Sequence, residues 1–193
     1  MNKEPISSLK NKLDFILEIE KLKAVLRKTR PHGQKRFENS AEHSWQTALA
    51  AVLFMPDHLD GFKVLKMLLI HDVVEIDTGD VFVYDDQERQ DIVEAESKAA
   101  ERIFGILDDP LSSELLSLWQ EFEDRASPEA VYAKALDRLC PVVQNLNAET
   151  SSWNEHGISR ERVIEKNSEI AKVDEDLWTI LKGRIDGASF STQ

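Results

Sequence analysis

Four residues of this sequence belong to types that bind divalent metal ions, and each lies in or beside an apolar helical pattern. His71 and Asp72 follow the apolar run VLKMLLI, His43 begins a second helical pattern, and Asp137 adjoins the apolar stripe of a third. Each alone has an ordinary explanation, such as a histidine stabilised at a helix C-terminus or an acid paired with a neighbouring base. Together they supply two imidazoles and two carboxylates from three helices. That set suits a divalent transition metal with positions open for water and substrate.

Two further acids follow the His-Asp doublet within the segment HDVVEIDTGD, which has one histidine and four acids in ten residues. Glu75 comes four residues after His71 and therefore on the same helical face. Asp80 follows across the Thr78-Gly79 turn. Solvated loops are often acidic, so this run alone does not assign a role to either residue. The remaining acid of this segment, Asp77, is interpreted as a surface residue.

Helical periodicity dominates the rest of the chain and predicts an all-α fold. No strand-like alternation exceeds four residues, and Pro31 and Gly33 mark the longest break between helical patterns. We expect one domain over residues 1–193, a bundle of about seven to eight helices, with a core of about 8–149 and C-terminal helices 159–185 packed on it. The predicted helices cover about 8–27, 41–54, 61–76, 88–107, 113–125, 128–149, 159–171 and 175–185.

Composition and charge exclude several classes of function. The formal net charge of −12 argues against a surface that binds a nucleic-acid polymer, because such surfaces depend on many lysines and arginines. The longest apolar runs are too short to span a bilayer, and the N-terminus lacks the apolar segment of a signal peptide. One cysteine, Cys140, allows no internal disulfide, which fits a reducing compartment. We therefore expect a soluble, cytoplasmic protein.

Three segments, RFENSAEHSW, LLIHDVVEIDTGD and AKALDRL, resemble three motifs of the HD-domain metal-dependent phosphohydrolases. Their order and spacing are similar to those of the HD-domain 5'-deoxynucleotidase branch, over about residues 13–147. The resemblance implies an HD-domain helical bundle that releases phosphate from nucleoside 5'-monophosphates, in particular deoxyribonucleotides. It implies one divalent ion, which could be Mn, Fe, Co, Ni or Zn, bound by His43, His71, Asp72 and Asp137. It also implies a homodimer, since related proteins are often dimers.

The same resemblance assigns roles to residues around the metal site. Glu75 takes the position that orients or deprotonates the attacking water, and Asp80 the position near the sugar or leaving oxygen. Arg36 matches the arginine of the first motif and is expected to contact the phosphate or brace the site. Arg30 is expected to stand in for an arginine that precedes this motif in the family, although the tryptophan beside that arginine is missing from RKTRPHGQK.

Other functions are compatible with these residues. The same ligands could serve hydrolysis of a cyclic nucleotide, a triphosphate or an alarmone, but no histidine between Asp72 and Asp137 is available for a second metal of the cyclic-dinucleotide type. A non-catalytic regulatory domain could keep the metal as a structural clip, although such a site needs neither Glu75 nor Asp80. A helical scaffold with scattered histidines would bind no transition metal.

Overall fold

A computed structural model describes residues 5–190 and confirms the all-α prediction. Within that range the only β interaction is an isolated antiparallel bridge between Leu26 and Asn39. Short 3-10 turns cover Glu20–Ala24, His71–Val74 and Ser168–Lys172. The helices are α1 (Ile6–Ile19), α2 (Ser40–Phe54), α3 (Gly61–Ile70), α4 (Glu75–Thr78), α5 (Asp86–Asp91), α6 (Val93–Phe104), α7 (Leu111–Asp124), α8 (Pro128–Leu146), α9 (Ser152–Glu155), α10 (Arg160–Asn167) and α11 (Glu175–Gly187).

The first predicted helix is shorter than its periodicity indicates. Instead of continuing to about residue 27, α1 ends at Ile19, and the chain becomes extended at Val25 after a 3-10 turn. The extended segment pairs with the chain just before α2, because the Arg27 amide donates to the Glu38 carbonyl at 2.9 Å. This pairing holds Arg27 beside the start of α2. A continuous helix to residue 27 would not form this contact.

A capping box at Asn39 sets the start of α2. The Asn39 side chain accepts from the Glu42 amide at 2.9 Å, and the Glu42 carboxylate accepts from the Asn39 amide at 3.2 Å. Ser40 is the first helical residue, one position before the start predicted from the periodicity. The cap therefore places His43 in the first turn of α2, with its side chain fully buried.

The long helix predicted over 61–76 is interrupted at the His-Asp doublet. Helix α3 ends at Ile70, His71–Val74 wind as a 3-10 turn, and α4 resumes at Glu75. A 3-10 turn has three residues per turn, so it shifts the direction of the side chains that follow it. Leu68 before the break and Val73 after it consequently pack in different hydrophobic clusters.

Two hydrophobic clusters form the core, and the His-Asp doublet lies at their boundary. The larger cluster joins α2, α3 and α8 to the C-terminal helices through residues such as Met67, Leu136 and Ile185. The smaller one is centred on Ile103 and Phe104 of α6. The predicted helix over 88–107 is in fact divided into α5 and α6. Among the described helices, none combines the length and the low polarity needed to cross a bilayer.

Candidate metal centre and active-site pocket

His43, His71 and Asp137 come together at the centre of the fold. One potential ligand atom of each lies within 4.8 Å of the other two. His43 Nε2 is 2.8 Å from Asp137 Oδ1, and His71 Nε2 is 3.6 Å from the same oxygen. The residues come from the first turn of α2, the 3-10 turn after α3 and the middle of α8. Three separate elements thus present nitrogen and oxygen donors to one point.

The backbone fixes the orientation of the His71 ring. Its Nδ1 lies 2.9 Å from the carbonyl oxygen of Leu68, and because a carbonyl only accepts, Nδ1 carries the proton and donates. Phe122 contacts the ring edge-on, with centroids 5.1 Å apart. The buried Nε2 faces the cluster, where carboxylate oxygens of Asp72 and Asp137 lie 2.9 and 3.6 Å away without the geometry of a hydrogen bond. A histidine held through Nδ1 by a backbone carbonyl, with Nε2 directed at the centre, is the usual arrangement of a metal ligand.

Asp72 borders this cluster and also forms an ion pair. Its Oδ1 lies 2.9 Å from His71 Nε2, and its Oδ2 accepts from Arg27 Nη1 at 2.9 Å. Arg27 Nη1 is also 3.3 Å from Asp80 Oδ1. Arg27 therefore joins a predicted metal ligand to a predicted acid. Asp72 lies outside the group of three donors that are mutually within 4.8 Å.

The charges at the centre call for a cation. Burial would raise the pKa of Asp72, but His71 and Arg27 lower it to about 2, and the two histidines likewise hold the pKa of Asp137 well below its usual range. Burial would lower the pKa of His71, yet Asp72 and Asp137 raise it to about 10. Two carboxylates this anionic beside two imidazoles fit a divalent ion, and the mixed nitrogen and oxygen donors suit a transition metal.

Glu75 and Asp80 lie on the other side of Asp72 in a different electrostatic setting. Burial, and then the charge of Asp72, raises the pKa of Glu75 well above its usual value, while a hydrogen bond from the Ser40 hydroxyl to Oε2 at 2.5 Å opposes this. Burial raises the pKa of Asp80 against the opposing effect of Arg27. Gly79 turns the chain between them with φ of 78°, a conformation that favours glycine. A raised pKa in both acids suits groups that accept and donate protons during a reaction.

One pocket connects these groups to the surface. Its lining includes Asp72, Glu75, Asp80 and Asp137, together with His71. Its walls carry three aromatic residues and five basic ones: Phe82, Tyr84, Trp153, Arg27, Lys28, Arg89, Lys134 and Arg138. The buried His43 contributes to the metal cluster from behind this lining.

The two arginines predicted to bind substrate lie outside the pocket lining. Arg36 is half-exposed and forms two 2.7 Å hydrogen bonds to the Glu42 carboxylate. Arg30 pairs with Glu155, and its guanidinium lies 4.4 Å from the centroid of the Phe37 ring. In this structure both arginines stabilise the loop before α2, and their contact with substrate stays a prediction.

The sequence analysis missed three residues that the structure places at the site. Arg27 was assigned to a helix. Glu38 is buried, accepts from the Thr29 hydroxyl at 3.1 Å and from the Gln144 amide, and lies 3.9 Å from His43 Nδ1. Arg138 directly follows Asp137 and is buried, and burial, followed by the charge of Arg89, lowers its pKa against the opposing effect of Asp137. The sequence does carry a signal for two of the three, because Glu38 lies within RFENSAEHSW and Arg138 within AKALDRL.

Comparison with known proteins agrees with this geometry. A family model described as HD domain matches residues 19–178. The chain belongs to the HD-domain family. A crystal structure of a protein described as a predicted metal-dependent phosphohydrolase from Magnetospirillum magnetotacticum MS-1 is similar to this HD-domain chain, with 40% identity, a TM-score of 0.85, and coverage of 94% of this chain and 95% of that one. The PH0347 protein of Pyrococcus horikoshii OT3 shares the fold at 23% identity, with a TM-score of 0.62 over 89% of this chain and 99% of that one.

Curated relatives of this HD-domain protein carry a more specific name. The 5'-deoxynucleotidase HDDC2 of Danio rerio is 30% identical over 135 residues, which cover 69% of this chain and 68% of the relative. HDDC2 of Homo sapiens is 29% identical over 133 residues, which cover 68% of this chain and 65% of the relative. These matches and the family make the chain a hydrolase, and the family together with the His43–His71–Asp137 cluster indicates a divalent metal.

Proposed function

We propose that this HD-domain protein is a metal-dependent phosphomonoesterase that releases phosphate from nucleoside 5'-monophosphates, with a preference for deoxyribonucleotides. The main support is the arrangement of the His43–His71–Asp137 cluster beside a pocket that also contains Glu75 and Asp80. The names of the curated relatives support the substrate class. Aromatic side chains of the pocket, Phe82 and Tyr84 among them, supply faces on which a base can stack.

The proposed metal ligands are His43, His71, Asp72 and Asp137, which would hold one ion of Mn, Fe, Co, Ni or Zn. Such an ion, when bound, supplies Lewis-acid activation of water and of a phosphate oxygen. Asp72 joins the set because its Oδ1 lies 2.9 Å from His71 Nε2. Arg27, paired with Asp72 at 2.9 Å, holds that carboxylate in orientation.

Glu75 and Asp80 divide the proton transfers of the proposed reaction. Glu75, oriented by the Ser40 hydroxyl, accepts a proton from the attacking water. Asp80 donates a proton to the leaving sugar oxygen, and Arg27, 3.3 Å away, stabilises the carboxylate that results. Both acids line the pocket, so each can reach a substrate bound there.

The proposal extends to assembly, domain structure and location. A homodimer is supported by an exposed apolar face on α2, formed by Trp45, Leu49, Val52 and Leu53. Light scattering of the wild type and of Leu49→Asp tests it, with a dimer expected only for the wild type. We also propose a single domain over residues 1–193 and a cytoplasmic location, the latter supported by the lack of any cysteine pair.

A panel of nucleotides assayed with several divalent metals tests the activity, with Glu75→Gln and Asp77→Asn as matched variants. Asp77 lies on the exposed side of α4 and pairs with Arg102, so Asp77→Asn should retain wild-type kcat. Glu75→Gln should bind metal normally and lose about 10²-fold or more in kcat, since its proton transfer is lost.

Several results would contradict these assignments. Undiminished kcat in Glu75→Gln would remove Glu75 from the mechanism. Faster hydrolysis of triphosphates or alarmones than of monophosphates would contradict the proposed substrate class and identify one of these compounds as the substrate. A protein that binds metal and hydrolyses no member of the panel would instead be the non-catalytic regulatory domain considered above.

A further inference from the structure

Two arginines of the pocket differ from the other arginines of the chain. All ten arginines lie within residues 5–190. In that range every arginine except Arg89 and Arg138 has a side-chain ion pair or hydrogen bond. Arg89 and Arg138 both line the pocket that contains the candidate metal centre. The two described arginines without either kind of contact therefore both lie in the pocket that a substrate would occupy.

Arg138 is held close to the metal cluster by its position in α8. It directly follows Asp137, and its Nε is buried without a hydrogen-bond partner among the described residues. Arg89 reaches the same pocket from α5, a different element. The charges of two guanidiniums that share a pocket repel each other, so the arrangement is stabilised when an anion lies between them.

The other buried cations of the pocket already have carboxylate partners. Arg27 is paired with Asp72 and Asp80. Lys134 donates to both oxygens of Glu123 at 2.9 Å. Lys28 also lines the pocket, but it is exposed and therefore hydrated.

The glutamates of the pocket do not neutralise the two arginines. Glu123 is engaged by Lys134. Burial, and then the charge of Glu123, raises the pKa of Glu96, while the charge of Arg89 opposes this without a salt bridge between the two side chains. Among the described residues, no carboxylate oxygen lies within salt-bridge distance of either Arg89 or Arg138.

We propose that Arg89 and Arg138 form a phosphate-binding subsite of the pocket. A guanidinium presents planar donors that match the spacing of phosphate oxygens, and two of them from different helices can hold one dianionic group. The assignment of this phosphate to the substrate rests on the proposed phosphomonoesterase function. The subsite itself would bind either the phosphate that is released or a second phosphate carried by the same nucleotide.

Calorimetric titration of the metal-loaded protein with inorganic phosphate tests the subsite independently of turnover. Arg138→Gln and Arg89→Gln should each weaken phosphate binding about ten- to hundredfold, which is the effect of losing a charge-assisted hydrogen bond. Arg184→Gln is the matched control, since Arg184 is exposed on α11 and donates to Asn147 outside the pocket. Arg138→Lys, which keeps the charge and loses the planar donors, should recover only part of the affinity. Metal content and the circular dichroism spectrum of each variant establish that the centre and the fold are intact.

Kinetics with two substrates identify which phosphate the subsite holds. If it holds the released phosphate, the arginine variants should raise KM for a nucleoside 5'-monophosphate. If it holds a second phosphate, KM should rise only for a nucleoside 3',5'-bisphosphate. Unchanged phosphate affinity in folded, metal-loaded Arg89→Gln and Arg138→Gln would overturn the subsite while leaving the proposed activity intact. Weakened phosphate binding in a protein that hydrolyses no nucleotide would support the subsite and reject the activity.

Discussion

Replacing Arg27 by methionine should destabilise the metal-free protein, and the loss should be larger at pH 7 than at pH 4. The Arg27 side chain is only 13% exposed and lies 2.9 Å from Asp72 and 3.3 Å from Asp80. Methionine fills a similar volume without charge, so the variant leaves both carboxylates buried without their cation. In the wild type His71 and Arg27 outweigh burial and lower the pKa of Asp72 to about 2, and this ionised carboxylate stabilises the fold above about pH 4.

The magnitude follows from the two contacts. Each unit-charge attraction at about 3 Å is worth roughly 5 kcal/mol at an effective dielectric constant of 20, and most of that offsets desolvation. Removing one partner of a buried pair costs about 3–5 kcal/mol when the remaining charge has no compensation, and since Asp72 keeps its contact with His71 we expect a loss of about 3 kcal/mol. In Arg27→Met the pKa of Asp72 should rise, and protonation then relieves the cost as the pH falls. The difference from wild type should shrink by about 1.4 kcal/mol for each pH unit over which one carboxylate binds its proton.

Urea denaturation with a chelator present, at pH 7 and pH 4, measures the effect. Arg125→Met is the control: Arg125 is 43% exposed and has one ion pair, to Glu169, so its loss should stay below about 1 kcal/mol. Added divalent metal should reduce the difference between Arg27→Met and wild type at pH 7, since the ion compensates Asp72. Equal losses for the two variants, or a loss independent of pH, would refute the electrostatic role of Arg27.

Three more local features make predictions of their own. Gly79→Ala should lower the free energy of unfolding by about 1–3 kcal/mol, because φ is 78° there, and should lower kcat by displacing Asp80. The control Gly183→Ala, at an open position of α11, should instead stabilise the protein by up to about 1 kcal/mol. Thermal unfolding and kinetics measure both variants, and an unchanged stability in Gly79→Ala would contradict the expected backbone strain. Burial raises the pKa of Cys140 to about 12, so a colorimetric thiol reagent should react with it only after unfolding in urea, and rapid labelling of the native protein would disprove its inertness. Phe122→Leu should lower the free energy of unfolding by about 1–3 kcal/mol and weaken metal binding, because the fully buried ring supports His71 and its centroid lies 4.1 Å from the Lys134 ammonium. A metal affinity equal to that of the wild type would show that the ring contributes to packing alone.

Local signals in the sequence predicted most helix positions, because apolar periodicity and caps act over a few residues. Ser127 caps α8 with Pro128 in its first turn, as the sequence indicates. The same signals failed where distant contacts outweigh local preference. The 3-10 turn at His71–Val74 is one such case, since Val73 and Val74 are drawn into the cluster around Phe104. The early end of α1 is another, since the segment after it pairs with the chain before α2.

The all-α class, the candidate metal-binding residues and the segments that contain them can be predicted from the sequence, since residue types and their spacing are local properties. Which cations reach the site depends on the tertiary structure. Arg27 meets Asp72 across 45 residues, while Arg36 is held by Glu42 only six residues away. No period or motif specifies the first of these contacts, because it depends on how α1, the extended segment and the His-Asp turn pack together. Charge pairing within the folded core therefore determines which arginines line the pocket and which of them remain free to bind an anion.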